Sequence, residues 1–369
     1  LIFKNIDIFC DVVDNFGDAG VTYRLANAII KKLPDAEIRL FTNGLEAFHA
    51  LNSGIRPDMQ IQKVNGIEFY SYDTLTEGFM EGYEIPKLVI EAFACHIPAA
   101  YYEKALDSDC LIINLDHLSA EDWIEGVHLK ESLTGRKAKK YFFMPGFTEL
   151  SGGIILGRSF SEEEIRSARE ELCRFFKLDG DGLIGTIFTY EHDFTGFFSD
   201  ILSSGRKVEL IVFGEKSRKS FEPFINLQNE KIRIIFSDFI SQEKYDDLLK
   251  TTDFNFVRGE DSWARACLSG KPFVWQSYFQ KDNYQLVKVG AFNKYLERFY
   301  KDTKIFSEFS NYQTAFNDRS PQAKDNSLLF FLKHLETIES YNNELSKYLF
   351  KNCNLIKNLL FFAGSLKEL

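Results

Sequence analysis

Apolar and polar residues alternate over Ile6-Asp-Ile-Phe-Cys10, the pattern of a strand. The period then becomes helical, with apolar residues at Val21, Leu25, Ile29 and Leu33. Glu37-Ile-Arg-Leu-Phe41 is a second strand, closed by Thr42-Asn43-Gly44, and Leu88–Cys95 and Cys110–Leu115 read as buried strands with loops after them. Asp116–Gly126 is polar and aromatic together. It starts where a strand ends, which suits a ligand-facing loop. It also reads as a short capped helix, with Ser119 as N-cap and Asp122 three residues on; the two readings are compatible. Pro145-Gly146 and Ser151-Gly-Gly153 break the pattern. Ser161-Glu-Glu-Glu then opens a helix with a Ser cap and acids in its first turn, running to about Leu178.

The second half repeats the alternation. Strands are expected at Leu183–Phe188, Lys207–Phe213, Ile232–Phe236, Phe254–Val257 and Pro272–Trp275, with short helices at Gln242–Leu249 and Ser262–Leu268. Such spacing implies parallel β-α-β units with right-handed crossovers. From about residue 320 the pattern is helical, and Leu345–Phe362 reads as one long helix that crosses back to the first domain. The fold class is therefore α/β with two Rossmann-like domains. The first covers 1–155 and is completed by the C-terminal helix 350–369; the second covers 156–349. The boundary falls in the Gly-rich linker.

Composition narrows the function more than the fold. A chain of 369 residues with 45% hydrophobic content can build two cores. A net charge of −10 argues against broad nucleic-acid binding, which needs a basic face. The 37 Phe residues mean that one Phe is not a ligand contact by identity alone. Six widely spaced cysteines read as reduced thiols, and the six scattered histidines show no metal spacing, so no zinc or other metal cofactor is expected. No apolar run reaches a membrane span and no secretory signal is visible; a cytoplasmic protein without a membrane partner is expected.

Two turns carry the candidate chemistry. In Asp11-Val-Val-Asp-Asn-Phe-Gly-Asp-Ala-Gly20, Asp14 and Asp18 sit between a first strand and a first helix, where α/β sheets bind ligands. They suit a general base with a supporting carboxylate, or helix-dipole partners and nothing more. In Arg258-Gly-Glu-Asp-Ser262, a strand end meets a helix N-terminus, capped by Asp261 or Ser262. That makes an anion site, to which Arg258 adds a bidentate fork. The alternative is a local Arg258–Glu260 ion pair beside a plain cap. Phe188, Tyr190 and Phe239 stand at strand ends, where aromatics can hold a nucleobase or simply fill core. Dinucleotide, P-loop and nucleophile-elbow motifs are absent.

Val12–Ala26 resembles the N-terminal motif of the EarP family, the bacterial elongation factor P arginine rhamnosyltransferases. So do Leu118–Gly126, Tyr141–Thr148, Phe254–Ser262 and Gly270–Gln276. Departures are small: Asp11 occupies a variable position, and Phe279-Gln280 stands where Pro-Gln is expected. The resemblance implies a GT-B glycosyltransferase, two Rossmann-like domains facing across a cleft. It implies inverting transfer of L-rhamnose from dTDP-β-L-rhamnose to an arginine of elongation factor P, without metal. It places the catalytic acids on Asp14 and Asp18, and donor contacts on Asn15, Phe16, Gly17, Phe188, Tyr190, Phe239, Gln242, Arg258, Glu260, Asp261 and Ser262. Thymine is expected between Phe188 and Phe239. Two rival readings stay open. One is a glycosyltransferase with another nucleotide sugar or acceptor; the other is a nucleotide-responsive partner of a translation factor without chemistry.

Overall fold

The structure is a computed structural model and describes residues 3–13, 17–320 and 328–366. The chain divides into two compact units, Leu1–Leu156 with Lys351–Leu369, and Gly157–Phe350.

The first unit holds an eight-stranded sheet of β1 (Asn5–Cys10), β2 (Glu37–Thr42), β3 (Ile61–Val64), β4 (Ile67–Ser71), β5 (Leu88–Ala92), β6 (Leu111–Leu115), β7 (Glu131–Ser132) and β8 (Lys139–Phe143). Their order is β3-β4-β2-β1-β5-β6-β8-β7, parallel except for β3 and β7 at the edges. Helices α1 (Gly17–Lys32), α2 (Leu45–Leu51), α3 (Glu77–Glu81), α4 (Ala99–Leu106) and α5 (Trp123–Val127) fill the connections. Every residue of β5 and β6 is buried, because a parallel sheet is covered on both faces, and the two polar ones, Glu91 and Asn114, bond each other at 3.2 Å. On one face α1 buries Ala19, Leu25, Ala26 and Ile29 against Ile6 and Ile8. On the other, Phe9 stacks on Phe41 and meets Tyr101 at a tilt.

Three details depart from the sequence expectation. The strand expected over Leu88–Cys95 stops at Ala92, because Phe93 and Ala94 take left-handed backbone, φ +59° and +50°. Ser119 does not cap a helix: its hydroxyl accepts from the Glu121 amide, and α5 starts only at Trp123. The long C-terminal helix is two helices, because the Ile154 backbone inserts between them. Ile154 N donates to the Cys353 carbonyl, and Leu355 N donates to the Ile154 carbonyl.

The second unit opens with α6 (Glu162–Phe176), started by a full Ser161/Glu164 capping box. Then come β9 (Leu183–Ile187), α7 (Thr195–Ser204), β10 (Val208–Phe213), α8 (Glu215–Phe221), β11 (Ile232–Ser237), α9 (Gln242–Thr251), β12 (Phe254–Arg258), α10 (Asp261–Ser269) and β13 (Phe273–Gln276). The sheet is wholly parallel in the order β11-β10-β9-β12-β13. The unit is completed by α11 (Gln285–Leu296), α12 (Thr303–Asn317), α13 (Leu329–Lys333) and most of α14 (Leu335–Asn352). The last helix, α15 (Leu355–Ser365), buries Leu355, Ile356, Leu359 and Ala363 in the core of the first unit.

Strand order reverses between β9 and β12 in this unit, and between β1 and β5 in the other. Each reversal leaves a crevice outside the carboxyl ends of the strands, the usual ligand position in doubly wound sheets. Among the described residues no helix is long and apolar enough to cross a membrane.

Candidate active site

At the β9/β12 reversal the chain collects aromatic rings around one cation. The guanidinium carbon of Arg258 lies 4.5 Å from the ring centre of Phe188 and 4.8 Å from that of Tyr190. Its Nη1 donates to the Thr189 carbonyl at 3.2 Å. The neighbouring register fixes this arrangement. Arg258 pairs with Gln276 on β13, and Gln276 Oε1 accepts from the Tyr190 amide at 2.7 Å. The Gln276 side chain thus ties β13 to the turn after β9. Its Nε2 is buried without a hydrogen-bond partner among the described residues. From the other side, the Ser217 hydroxyl accepts from Thr189 N at 2.8 Å and donates to Thr189 O at 3.0 Å.

Between β12 and α10 lie only Gly259 and Glu260. Gly259 has φ +66°, a left-handed turn that glycine makes without strain. Its carbonyl accepts from Trp275 Nε1 at 2.8 Å, and Trp275 stacks on Trp263 of α10 at 3.8 Å, so α10 is held by both ends of one indole pair. The N-cap is Glu260, not Asp261 or Ser262, and it makes no side-chain cap. Asp261 is the first helical residue and Ser262 is buried. The first-turn amides of α10 and the Arg258 guanidinium therefore sit on the same turn. A helix N-terminus beside a guanidinium can hold an anion, phosphate commonly.

Phe239, on the loop after β11, is 56% exposed. Its ring meets Phe188 edge-on, centroids 6.1 Å apart and planes at 86°. A base held between two faces needs parallel rings about 7 Å apart, so this pair does not hold an open slot as it stands. Phe188 also meets Tyr245 of α9 edge-on, and a Cβ on Gly214 would approach the Phe188 ring within 3.1 Å. Gln242 is half-buried at the start of α9, beside the Ser241 cap. The structure therefore brings Phe188, Tyr190, Phe239, Arg258, Glu260, Asp261 and Ser262 to one edge of one sheet. Thr189, Ser217, Gln276, Trp275 and Lys216, whose ammonium lies 5.2 Å from the Tyr190 ring centre, were not among the sequence candidates. Each follows or faces a strand end; only register shows which ones meet.

In the other unit Asp14, Asn15 and Phe16 lie outside the described residues. Gly17 starts α1, and Asp18, half-buried, is in its first turn. The preceding loop is tied on both sides. Val12 N donates to Asn43 Oδ1 at 2.8 Å, and Asp11 Oδ2 accepts from His96 N at 2.8 Å. Gly44 has no room for a side chain, since a Cβ there would lie 2.8 Å from that of Val12. Beneath the loop, burial pushes the Cys10 thiol up to about 12, and the charges of Asp18 and Asp11 push the same way. Among the described residues the cysteines form no disulfide, and no group of three or more His, Cys, Asp or Glu could hold a metal ion.

The chain matches the family described as "Elongation-Factor P (EF-P) rhamnosyltransferase EarP" over residues 6–364. It is 33% identical over 305 residues to a protein-arginine rhamnosyltransferase of Pseudomonas putida, covering 78% of this chain and 80% of that one. Against the protein of the same name from Shewanella oneidensis it is 31% identical over 317 residues, 78% and 79% of the two chains. A solved structure described as the structural basis for EarP-mediated arginine glycosylation of translation elongation factor EF-P superposes with a TM-score of 0.61. The identity there is 18%, over 97% of this chain and 98% of that chain. That likeness shows the fold, which is GT-B.

Proposed function

Because the chain belongs to the EarP family of elongation factor P rhamnosyltransferases, we propose that it moves L-rhamnose from dTDP-β-L-rhamnose to an arginine side chain of elongation factor P, with inversion. The observation that carries the donor half is Arg258, held between the Phe188 and Tyr190 rings beside the N-terminus of α10. A nucleoside diphosphate asks for such a set: a fixed cation and amides for phosphate, and rings for a base. Glu260 accepts from ribose hydroxyls, and Gln242 adds a polar contact to the donor. Phe239, exposed on its loop, turns from its edge-on position to cover thymine against Phe188. The donor also touches Asn15, Phe16 and Gly17.

The acceptor arginine is protonated at any cellular pH and is a poor nucleophile until a carboxylate orients it. Asp18 takes a guanidinium proton as the nitrogen attacks C1 of rhamnose. The new N–C1 bond forms while the C1–O bond to diphosphate breaks, and the electron pair leaves on dTDP. Arg258 and the first-turn amides of α10 stabilise the charge that develops there. Asp14 steadies the guanidinium electrostatically. Acting on a translation factor sets the reaction in the cytoplasm.

Intact mass measurement of elongation factor P after incubation with the protein and dTDP-rhamnose tests this reading. One deoxyhexose gained, mapped to arginine, is the expected result. Equal transfer from UDP-sugars, or no gain at all, would count against it.

A further inference from the structure

We propose that Phe279 and Arg319 brace the donor subsite, holding the Tyr190 ring against Arg258, and are positioning residues for the nucleoside diphosphate. This rests on the functional reading above and adds two residues to it. Phe279 stands where proline is expected from the family, and a proline offers no aromatic ring.

Tyr190 is the middle of a column in which charge and ring alternate. On one side the Arg258 guanidinium carbon lies 4.8 Å from the Tyr190 ring centre and 4.5 Å from that of Phe188. Phe279 meets the same Tyr190 ring at 5.8 Å, planes at 57°. Arg319 then covers Phe279, its guanidinium carbon 3.9 Å from the ring centre. Arg319 Nη2 also donates to the carbonyl of Glu191, the residue after Tyr190. One guanidinium therefore grips both the ring behind Tyr190 and the turn that carries it. A planar cation can do both at once, stacking through its face and donating through its edge.

The brace starts from fixed points. Asn317, fully buried, ends α12 two residues before Arg319. Its Oδ1 accepts from Ser277 N at 2.8 Å, and its Nδ2 donates to Trp275 O at 2.8 Å. The end of α12 is thus sewn to the backbone on both sides of Gln276, whose side chain holds Tyr190 N. Phe279 leaves the same strand end two residues after Ser277. Arg319 itself is exposed and Phe279 only half-buried. An exposed cation–ring pair adds little to stability, so its consequence lies in where it holds Tyr190 and, through that ring, Arg258.

The test is calorimetric titration of dTDP into wild type, Phe279→Ala, Phe279→Tyr and Arg319→Met, with thermal unfolding of each. Phe279→Ala should weaken dTDP about tenfold and Arg319→Met about threefold, with unfolding temperatures near wild type. Phe279→Tyr, which keeps the ring, should bind dTDP nearly as wild type does. In a Tyr190→Ala background, where the column is already cut, Phe279→Ala should cost no further affinity. Undiminished affinity in both single variants overturns the brace. So does an equal loss from Phe279→Ala with and without Tyr190, or a loss that follows stability and that Phe279→Tyr does not restore. Failure of the wild type to bind dTDP overturns the functional reading itself.

Discussion

Arg258 and Phe188 are locked face to cation at 4.5 Å, across two strands that pair directly in the sheet. On the proposed function the contact couples the phosphate end of the donor subsite to its base end. Replacing Arg258 with Ala removes a charge-assisted hydrogen-bond donor and the partner of both rings. Two such bonds at about 1.5–3 kcal/mol each are at stake in the bound state. The expected outcome is a donor kcat/KM lower by at least two orders of magnitude. Arg258→Lys should recover only part, since an ammonium cannot form the fork. Donor titration by calorimetry checks both.

The Gln276 backbone carbonyl accepts from Gly259 N, while its buried side chain reaches this site through Tyr190 N. Gln276→Leu leaves that amide without its acceptor, so the unit should lose about 1–3 kcal/mol of stability. The turn carrying Phe188 and Tyr190 should also loosen. A donor KM raised several-fold, with acceptor KM unchanged, is the expected kinetic signature.

These two residues show what the sequence made legible. Arg258 could be read as an anion ligand because it ends an apolar strand and precedes a helix. Gln276 ends a strand too, but its role depends on β13 lying beside β12, which no local pattern reveals. The same limit explains the elements. Buried strands such as β6 and β10 announce themselves as mostly apolar runs, broken only by Asn114 and Glu209. The edge strands β3 and β7 are short and partly exposed, so they carry no such run. The break at Cys353-Asn354 was invisible because its cause, the Ile154 backbone, lies about two hundred residues away. The left-handed kink at Phe93 was hidden because the sequence there shows neither Gly nor Asn.

His128 makes the first unit acid-sensitive. Burial lowers its pKa from the usual histidine value to about 4, and its Nδ1 accepts from Met144 N at 3.1 Å, which requires an unprotonated nitrogen. With the folded value below the unfolded one, the unfolded chain binds more protons between pH 6.5 and 4. This contribution is present above pH 6.5 and fades as pH falls through about 4. Denaturant midpoints measured against pH should slope downward over that window in the wild type, and less steeply in His128→Gln.

Lys177 ends α6 in left-handed backbone, φ +54°, where glycine is the usual residue. Its side chain is exposed, and only its backbone is used: the amide donates to the Arg174 carbonyl and the carbonyl accepts from Arg233. Lys177→Gly should stabilise the second unit by about 1 kcal/mol, a rise of roughly 2–4 °C in unfolding temperature. Calorimetry reads it directly, and transfer rates should not change.

On the proposed mechanism a carboxylate at the start of α1 draws a proton from arginine while rhamnose leaves dTDP. Its most direct measurement pairs wild type with Asp18→Asn, each incubated with elongation factor P and dTDP-rhamnose, followed by intact mass and a separate donor titration. The wild type should add one deoxyhexose to an arginine, and the variant should bind donor normally while adding almost none. Undiminished transfer by Asp18→Asn would contradict the mechanism.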